Sequence, residues 1–121
     1  MIIIQTIKNC ILLAVLFILS LQTLAQPDGA KIFKQNCTAC HTIGGGRLVG
    51  PDLEGVTKKR KSDWLKKWIN SSSELIASGD ADAIALFEEY GKVAMTDFYF
   101  EDADMEALLA YLENPPVEEV Q

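Results

Sequence analysis

The sequence predicts an all-α domain, and three observations carry that prediction. Apolar residues recur at helical spacing between residues 30 and 113. Capping residues or acidic first turns open the periodic segments, and glycine or proline closes them. No run of alternating apolar and polar residues reads as a strand, and there is no internal repeat. About four to five helices are expected.

The first segment is not part of that domain. Ile11 to Leu19 is an uninterrupted apolar run, with Lys8 before it and Thr23-Leu24-Ala25 after it. A basic residue, an apolar stretch and a small-x-small site predict a secretory signal peptide over residues 1–25, cleaved after Ala25. A membrane anchor is the competing reading, but Cys10 to Leu24 is only 15 residues and contains Ser20, Gln22 and Thr23. That is short against the ~20 residues needed to span a bilayer. The expected organisation is leader 1–25, domain 26–114 and a disordered acidic tail 115–121. Export places the mature chain in the periplasm with no membrane span.

Asp28 is the expected N-cap of a helix from Ala30 to Cys40, with Ile32 and Phe33 on its apolar side. Gly44-Gly45-Gly46 ends it and begins a loop, and Gly50-Pro51-Asp52-Leu53 follows as a turn. A second helix lies within Lys58 to Ile69, capped by Ser62 or Asp63, with Trp64, Leu65, Trp68 and Ile69 as its buried stripe. Ser71-x-x-Glu74 is a capping box that opens a short helix ending near Ser78, before Gly79-Asp80. Asp82 to Tyr90 reads as the next helix, with Ile84 and Phe87 inward, Leu86 a third candidate, and Gly91 as the stop. Lys92 to Phe100 is extended or irregular and holds Met95 and three aromatics. Glu101 or Asp102 begins the last helix, which runs to Glu113 with Met105, Leu108, Leu109 and Leu112 inside. Its acidic first turn suits the helix dipole, and Asn114-Pro115-Pro116 ends it.

The chemistry is carried by Cys37-Thr38-Ala39-Cys40-His41. Two cysteines three apart followed by histidine form the attachment signature for a c-type haem. On a helical turn, residues i and i+3 share a face, so both thiols reach the vinyl groups on one side of a porphyrin. The next residue turns its imidazole toward the ring centre. A thioredoxin-like pair would follow a buried strand in a βαβ pattern, and no such strand precedes Cys37. A zinc site needs four ligands, whereas His41 is the only histidine and the third cysteine, Cys10, lies in the leader. A mature chain of 96 residues has a small core. Buried haem would supply the missing apolar volume, so folding is expected to depend on it.

The charge is unevenly divided. Residues 26–70 hold nine basic and four acidic side chains, and residues 71–121 hold one basic and thirteen acidic. The whole chain carries −6. Net acidity excludes nucleic acid as the expected partner, despite the run Lys58-Lys59-Arg60-Lys61.

Taken in order, these parts resemble a class I monohaem cytochrome c over nearly all of Pro27 to Asn114. The elements are a first helix with Gly29 and Phe33, Cys37-x-x-Cys40-His41, Gly50-Pro51-x-Leu53, a tryptophan-bearing helix, a loop methionine, and a last helix containing Tyr111. The resemblance implies a cytochrome c-like bundle around one covalent haem c. It implies thioether links at Cys37 and Cys40 and proximal ligation by His41. It also implies a Pro51 carbonyl that accepts from the other nitrogen of His41, and a crossing of first and last helices at Gly29, Phe33 and Tyr111. The implied role of Trp64 and Trp68 is core and haem-wall packing, not electron relay.

The sixth iron ligand has its own argument. With one histidine, bis-histidine ligation is impossible. Met95 lies in a loop from which a thioether can swing to the iron, while Met105 sits on the inner stripe of a helix, as core residues do. Met95-Thr96 departs from the family's commoner Met-Pro pattern and so lacks the fixed φ that proline gives the residue after the ligand.

Histidine–methionine ligation fills both axial positions, excludes substrate from iron and raises the potential. The expected function is a periplasmic one-electron carrier, not an enzyme, between a quinol-oxidising complex and a terminal oxidase or other reductase. The alternative is a permanent haem-bearing subunit of a larger oxidoreductase. A peroxidase or gas-binding site would need a distal histidine or arginine, and Arg47 and Arg60 have no motif context for that role.

Overall fold

A computed structural model describes residues 27–116 together with the isolated positions 4, 5, 8 and 11. Apart from those four positions, the expected leader, its cleavage point and the tail beyond Pro116 fall outside the described residues. Six helices occupy 27–116: α1 (Gly29–Asn36), α2 (Val56–Lys59), α3 (Ser62–Asn70), α4 (Ser72–Ala77), α5 (Ala81–Glu89) and α6 (Asp102–Glu113). The described residues contain no strand, so the all-α expectation holds. None of the helices described is long and apolar enough to cross a membrane.

Asp28 caps α1 as expected, its Oδ1 accepting from the Ala30 and Lys31 amides at 3.0 and 3.3 Å. The helix stops at Asn36, four residues before Cys40. Side chains near its end compete for its carbonyls: Asn36 Nδ2 donates to the Ile32 oxygen at 2.8 Å, and Thr38 Oγ1 to the Lys34 oxygen at 2.9 Å. Cys37 O then accepts from both the Cys40 and the His41 amides, at 3.1 and 2.9 Å. Residues 37–41 therefore form one isolated turn beyond the helix, closed by an i→i−3 and an i→i−4 bond.

The one-turn α2 was not expected. Four residues are too few to carry a helical period, and it starts after Gly55, whose φ of 67° is in the left-handed region. α3 begins at Ser62 with Lys61 at the N-cap position, so neither Ser62 nor Asp63 is the cap. Ser71 Oγ accepts from the Glu74 amide at 3.3 Å, which is one half of the expected capping box. The other half is precluded because the Ser71 amide already donates to Lys67 O at 3.0 Å, closing α3. α5 starts at Ala81, capped by Asp80. Its buried residue is Ala83, fully enclosed, whereas Ile84 is 39% exposed and points outward, against expectation. A helix turns 100° per residue, so the residue after the contact point is carried away from it. Leu86 and Phe87 are half-buried.

The stripe of α6 is as expected: Met105, Leu108, Leu109 and Leu112 are all buried and join Phe33, Cys37, Leu65 and Ile69 in one core. α1 and α6 pack against each other. A Cβ on Gly29 would lie 2.0 Å from the Ala107 carbonyl oxygen and 2.8 Å from Tyr111 Cβ. Only glycine permits so close a crossing. Phe33 and Tyr111 flank it with ring centroids 5.5 Å apart, so the expected trio meets.

Two predictions follow from this architecture. Helix propensity would favour Gly29→Ala by at most ~1 kcal/mol, but backbone is the obstacle and cannot swing aside. The variant is expected to be destabilised by about 3 kcal/mol or more, read as a fall in the urea midpoint; an unchanged midpoint would mean that the crossing is loose. The second concerns Asp80, whose carboxylate accepts from the Ala83 amide at 2.9 Å and from Trp64 Nε1 at 3.1 Å. These bonds, the amide's foremost, hold its carboxyl below the usual carboxylate range. A depressed folded pKa means stability that is present above the unfolded value of ~3.9 and lost as pH falls through the folded value. The wild type should therefore lose its advantage over Asp80→Asn as pH drops from about 5 to below about 3, measured by urea unfolding at each pH. A difference that does not move with pH would refute the linkage.

Candidate functional site

The helices enclose a cavity of about 470 Å³. This lies within the ~300–1,000 Å³ typical of cofactor and small-molecule sites. Cys37, Cys40, His41, Pro51 and Met95, all singled out from sequence, line this one space. Met105 does not line it and is buried in the core, in keeping with the plain packing reading. The apolar wall includes Leu65, Trp68, Phe98, Leu108 and Leu112.

His41 is positioned by a short chain of causes. The turn at Cys37 carries it to the cavity, and the Gly50-Pro51 segment lies against its ring. His41 Nδ1 donates to the Pro51 carbonyl at 2.9 Å. That bond places the proton on Nδ1 and leaves the Nε2 lone pair for a metal. A Cβ on Gly50 would sit 2.4 Å from His41 Cε1, so the loop can approach the imidazole only because residue 50 is glycine. The Gly50 amide donates to Cys40 O at 2.8 Å, tying the loop to the motif directly.

Asp52 completes this arrangement, and sequence reading had treated it only as a turn residue. Its Oδ1 accepts from the Gly44 and Glu54 amides at 2.8 and 2.9 Å, and its Oδ2 from the Gly46 amide at 2.6 Å. These bonds, the Glu54 amide's first, lower its pKa. One carboxylate thus gathers the glycine loop and the segment after Pro51. The available signal was an Asp two residues before a chain reversal, which commonly bonds its own backbone.

The cysteines differ in environment. Cys37 is buried and Cys40 exposed. Burial, with a smaller contribution from Cys40, pushes the Cys37 thiol up to about 11. It is therefore a neutral group at physiological pH and packs as an apolar one.

On the cavity wall, Trp64 and Trp68 stack with centroids 5.3 Å apart and planes 11° from parallel. The Arg60 guanidinium lies 4.8 Å from the Trp64 ring centroid and pairs with Asp82 at 2.6 Å. Both Trp64 and Arg60 line the cavity. With its indole nitrogen committed to Asp80, Trp64 is a fixed wall. Arg60 had no motif to mark it; its place at the cavity comes from the unforeseen α2 turn just before it.

Met95 is half-buried on irregular backbone. Its carbonyl accepts from Ser72 Oγ at 2.8 Å. Ser72 is fully buried and was not singled out from sequence, because nothing in three consecutive serines says which one faces the loop.

These residues fit a haem. The space is mostly apolar, two thiols stand on its wall, and one imidazole nitrogen and one thioether are available as donors. Comparison with known proteins agrees. Residues 27–115 match the family model for cytochrome c. The chain is 34% identical over 87 residues to cytochrome c6 of Synechococcus sp., with 70% of this chain and 65% of that protein aligned. It is 33% identical over 92 residues to cytochrome c of Theileria parva, covering 69% and 80% of the two chains. Among solved structures it superposes on the cytochrome c domain of the pp3183 protein from Pseudomonas putida, with a TM-score of 0.63, 38% identity, and 71% and 85% coverage. Cytochrome c from Rhodothermus marinus aligns with a TM-score of 0.63, 32% identity, and 69% and 70% coverage. The chain therefore belongs to the cytochrome c family, electron-transfer proteins that carry covalently bound haem c.

Proposed function

We propose that this chain is an exported one-electron carrier of the periplasm, with leader 1–25, haem domain 26–114 and an acidic tail 115–121. In this reading Cys37 and Cys40 would form the thioether links, and His41 and Met95 would hold the iron. Electrons come from a quinol-oxidising complex and pass to a terminal oxidase or other reductase. The observation that carries the reading is that the one histidine and the one loop methionine stand on the wall of the same apolar cavity as both cysteines.

When bound, the haem supplies a one-electron FeII/FeIII couple. The chain's own residues do the rest. Pro51 O holds the His41 ring in one orientation and makes Nε2 a better donor. With His41 and Met95 both holding the iron, no position would be left for a substrate, and the chemistry supplied would be electron transfer. Trp68, Phe98, Leu108 and Leu112 exclude water, and a low dielectric around the iron together with a thioether ligand raises the potential. Lys59 and Arg60 line the cavity and would offer positive charge to the haem's carboxylates.

Two experiments test this reading. Replacing Cys37 and Cys40 together with Ala should abolish covalent haem and leave the chain largely unfolded. Haem staining after denaturing electrophoresis checks it, and a stained band from the double variant would exclude these attachment points. Met95→Ala should remove the weak near-infrared band of ferric methionine-ligated haem and lower the potential. Met105→Leu, which roughly conserves core volume, should leave both nearly intact. The reverse pattern would move the ligand to Met105.

A further inference from the structure

Residues 92–100 carry Met95 across the cavity without regular secondary structure. Proline does not follow the methionine, and two non-glycine residues of the segment have left-handed φ, Lys92 at 62° and Tyr99 at 50°. Such backbone persists only where its surroundings hold it. What holds it is concentrated at one place, the joint between α3 and α4. Ser72 Oγ donates to Met95 O at 2.8 Å. Ser73 Oγ donates to Asp97 Oδ2 at 2.7 Å. The Phe98 amide donates to Asn70 O at 3.1 Å, and the Phe100 amide to Asn70 Oδ1 at 3.1 Å. Met95, Asp97, Phe98 and Phe100 of the loop are thus stitched to Asn70, Ser72 and Ser73 of the joint.

The joint is itself rigid. Ser71 ends α3 and caps α4, and both Ser71 and Ser72 are buried. Trp68 and Ile69, immediately before it, form part of the cavity wall. Whatever is tied to residues 70–73 is therefore tied to the cavity wall.

We propose that Ser72 is the positioning residue for Met95 and, with the Ser73–Asp97 pair, forms a latch that sets how readily an outside ligand displaces the methionine from the haem iron. The proposal rests on Met95 being the axial ligand. Ser72 acts through the main chain: it grips the carbonyl of the liganding residue, so the thioether is presented from a fixed base. The serine–aspartate pair stands two residues further on and keeps the loop from peeling away. This arrangement does by hydrogen bonds what a proline after the methionine would do by restricting φ. It differs from proline in being reversible, because each bond can open without breaking the helices on either side.

The test is an imidazole titration of ferric holoprotein, followed by loss of the near-infrared methionine band. Removing one such hydrogen bond should tighten apparent imidazole binding by about two- to tenfold in Ser72→Ala. Ser73→Ala and Asp97→Ala should each shift it in the same direction, and the two together by less than the product of the singles. Asp28→Ala, which removes the α1 cap far from the loop, should lower the unfolding midpoint yet leave imidazole affinity unchanged. A band that survives in Met95→Ala would overturn the ligand assignment and the latch with it. A band lost in Met95→Ala, with wild-type imidazole affinity in the serine and aspartate variants, would overturn the latch alone. Equal tightening in Asp28→Ala would also overturn it, by showing that any loss of stability loosens the methionine. If Ser72→Ala yields no holoprotein, Ser73→Ala and Asp97→Ala, neither at a buried position, decide by the same criterion.

Discussion

The constraint on which the rest depends is that the helices enclose more space than their side chains fill. The apolar walls of this space, about 470 Å³ and partly open to solvent, would stay in contact with water if nothing filled it, and burying apolar surface is what stabilises a small domain. Leu108 and Leu112 belong to the core and also face the cavity, so the prosthetic group is a continuation of the core. The Trp64–Trp68 stack forms part of the cavity wall.

Both candidate iron donors sit on irregular backbone. A helix fixes its side chains in direction but places them on a cylinder, whereas a loop can bring a donor to the centre of a flat ring. The cost is mobility, and each loop is restrained by side chains that bond main chain. On the histidine side, Pro51 O accepts from the ring while Asp52 gathers three amides. On the methionine side, Ser72 and Asn70 bond the loop's main chain, and Ser73 bonds its Asp97 side chain. Small polar residues do this work because they can satisfy amides and carbonyls without filling the cavity.

The charge asymmetry along the chain is partly folded away. Arg60 pairs with Asp82, and Lys66 with Glu106 on α6, so basic and acidic halves interlock at these points. Exposed pairs of this kind contribute little to stability. Lys58, Lys61 and Lys67 stay exposed on or beside α2 and α3. In a transient electron-transfer encounter, such charges act on the rate of approach more than on the strength of the complex.

Much of this molecule was determined by sequence alone. The helical stripe of α6 and the Asp28 cap follow from local periodicity and capping, which short-range sterics and hydrogen bonding settle. Cys37, Cys40 and His41 were marked because haem attachment demands a fixed spacing. Met95 was reached by elimination, since one histidine leaves a thioether as the strongest remaining donor. What only the tertiary structure decided is which polar residues face which. Ile84 turned outward because α5 rests on Ala83, and Arg60 reached the cavity through the short α2 turn. Asp52, Ser72 and Asp97 became the restraints on the two loops because distant segments arrived within 3 Å of them. A local pattern records what a residue does with its neighbours in sequence. Hydrogen bonds such as Ser72 to Met95 span 23 residues, and packing of the whole chain sets their partners.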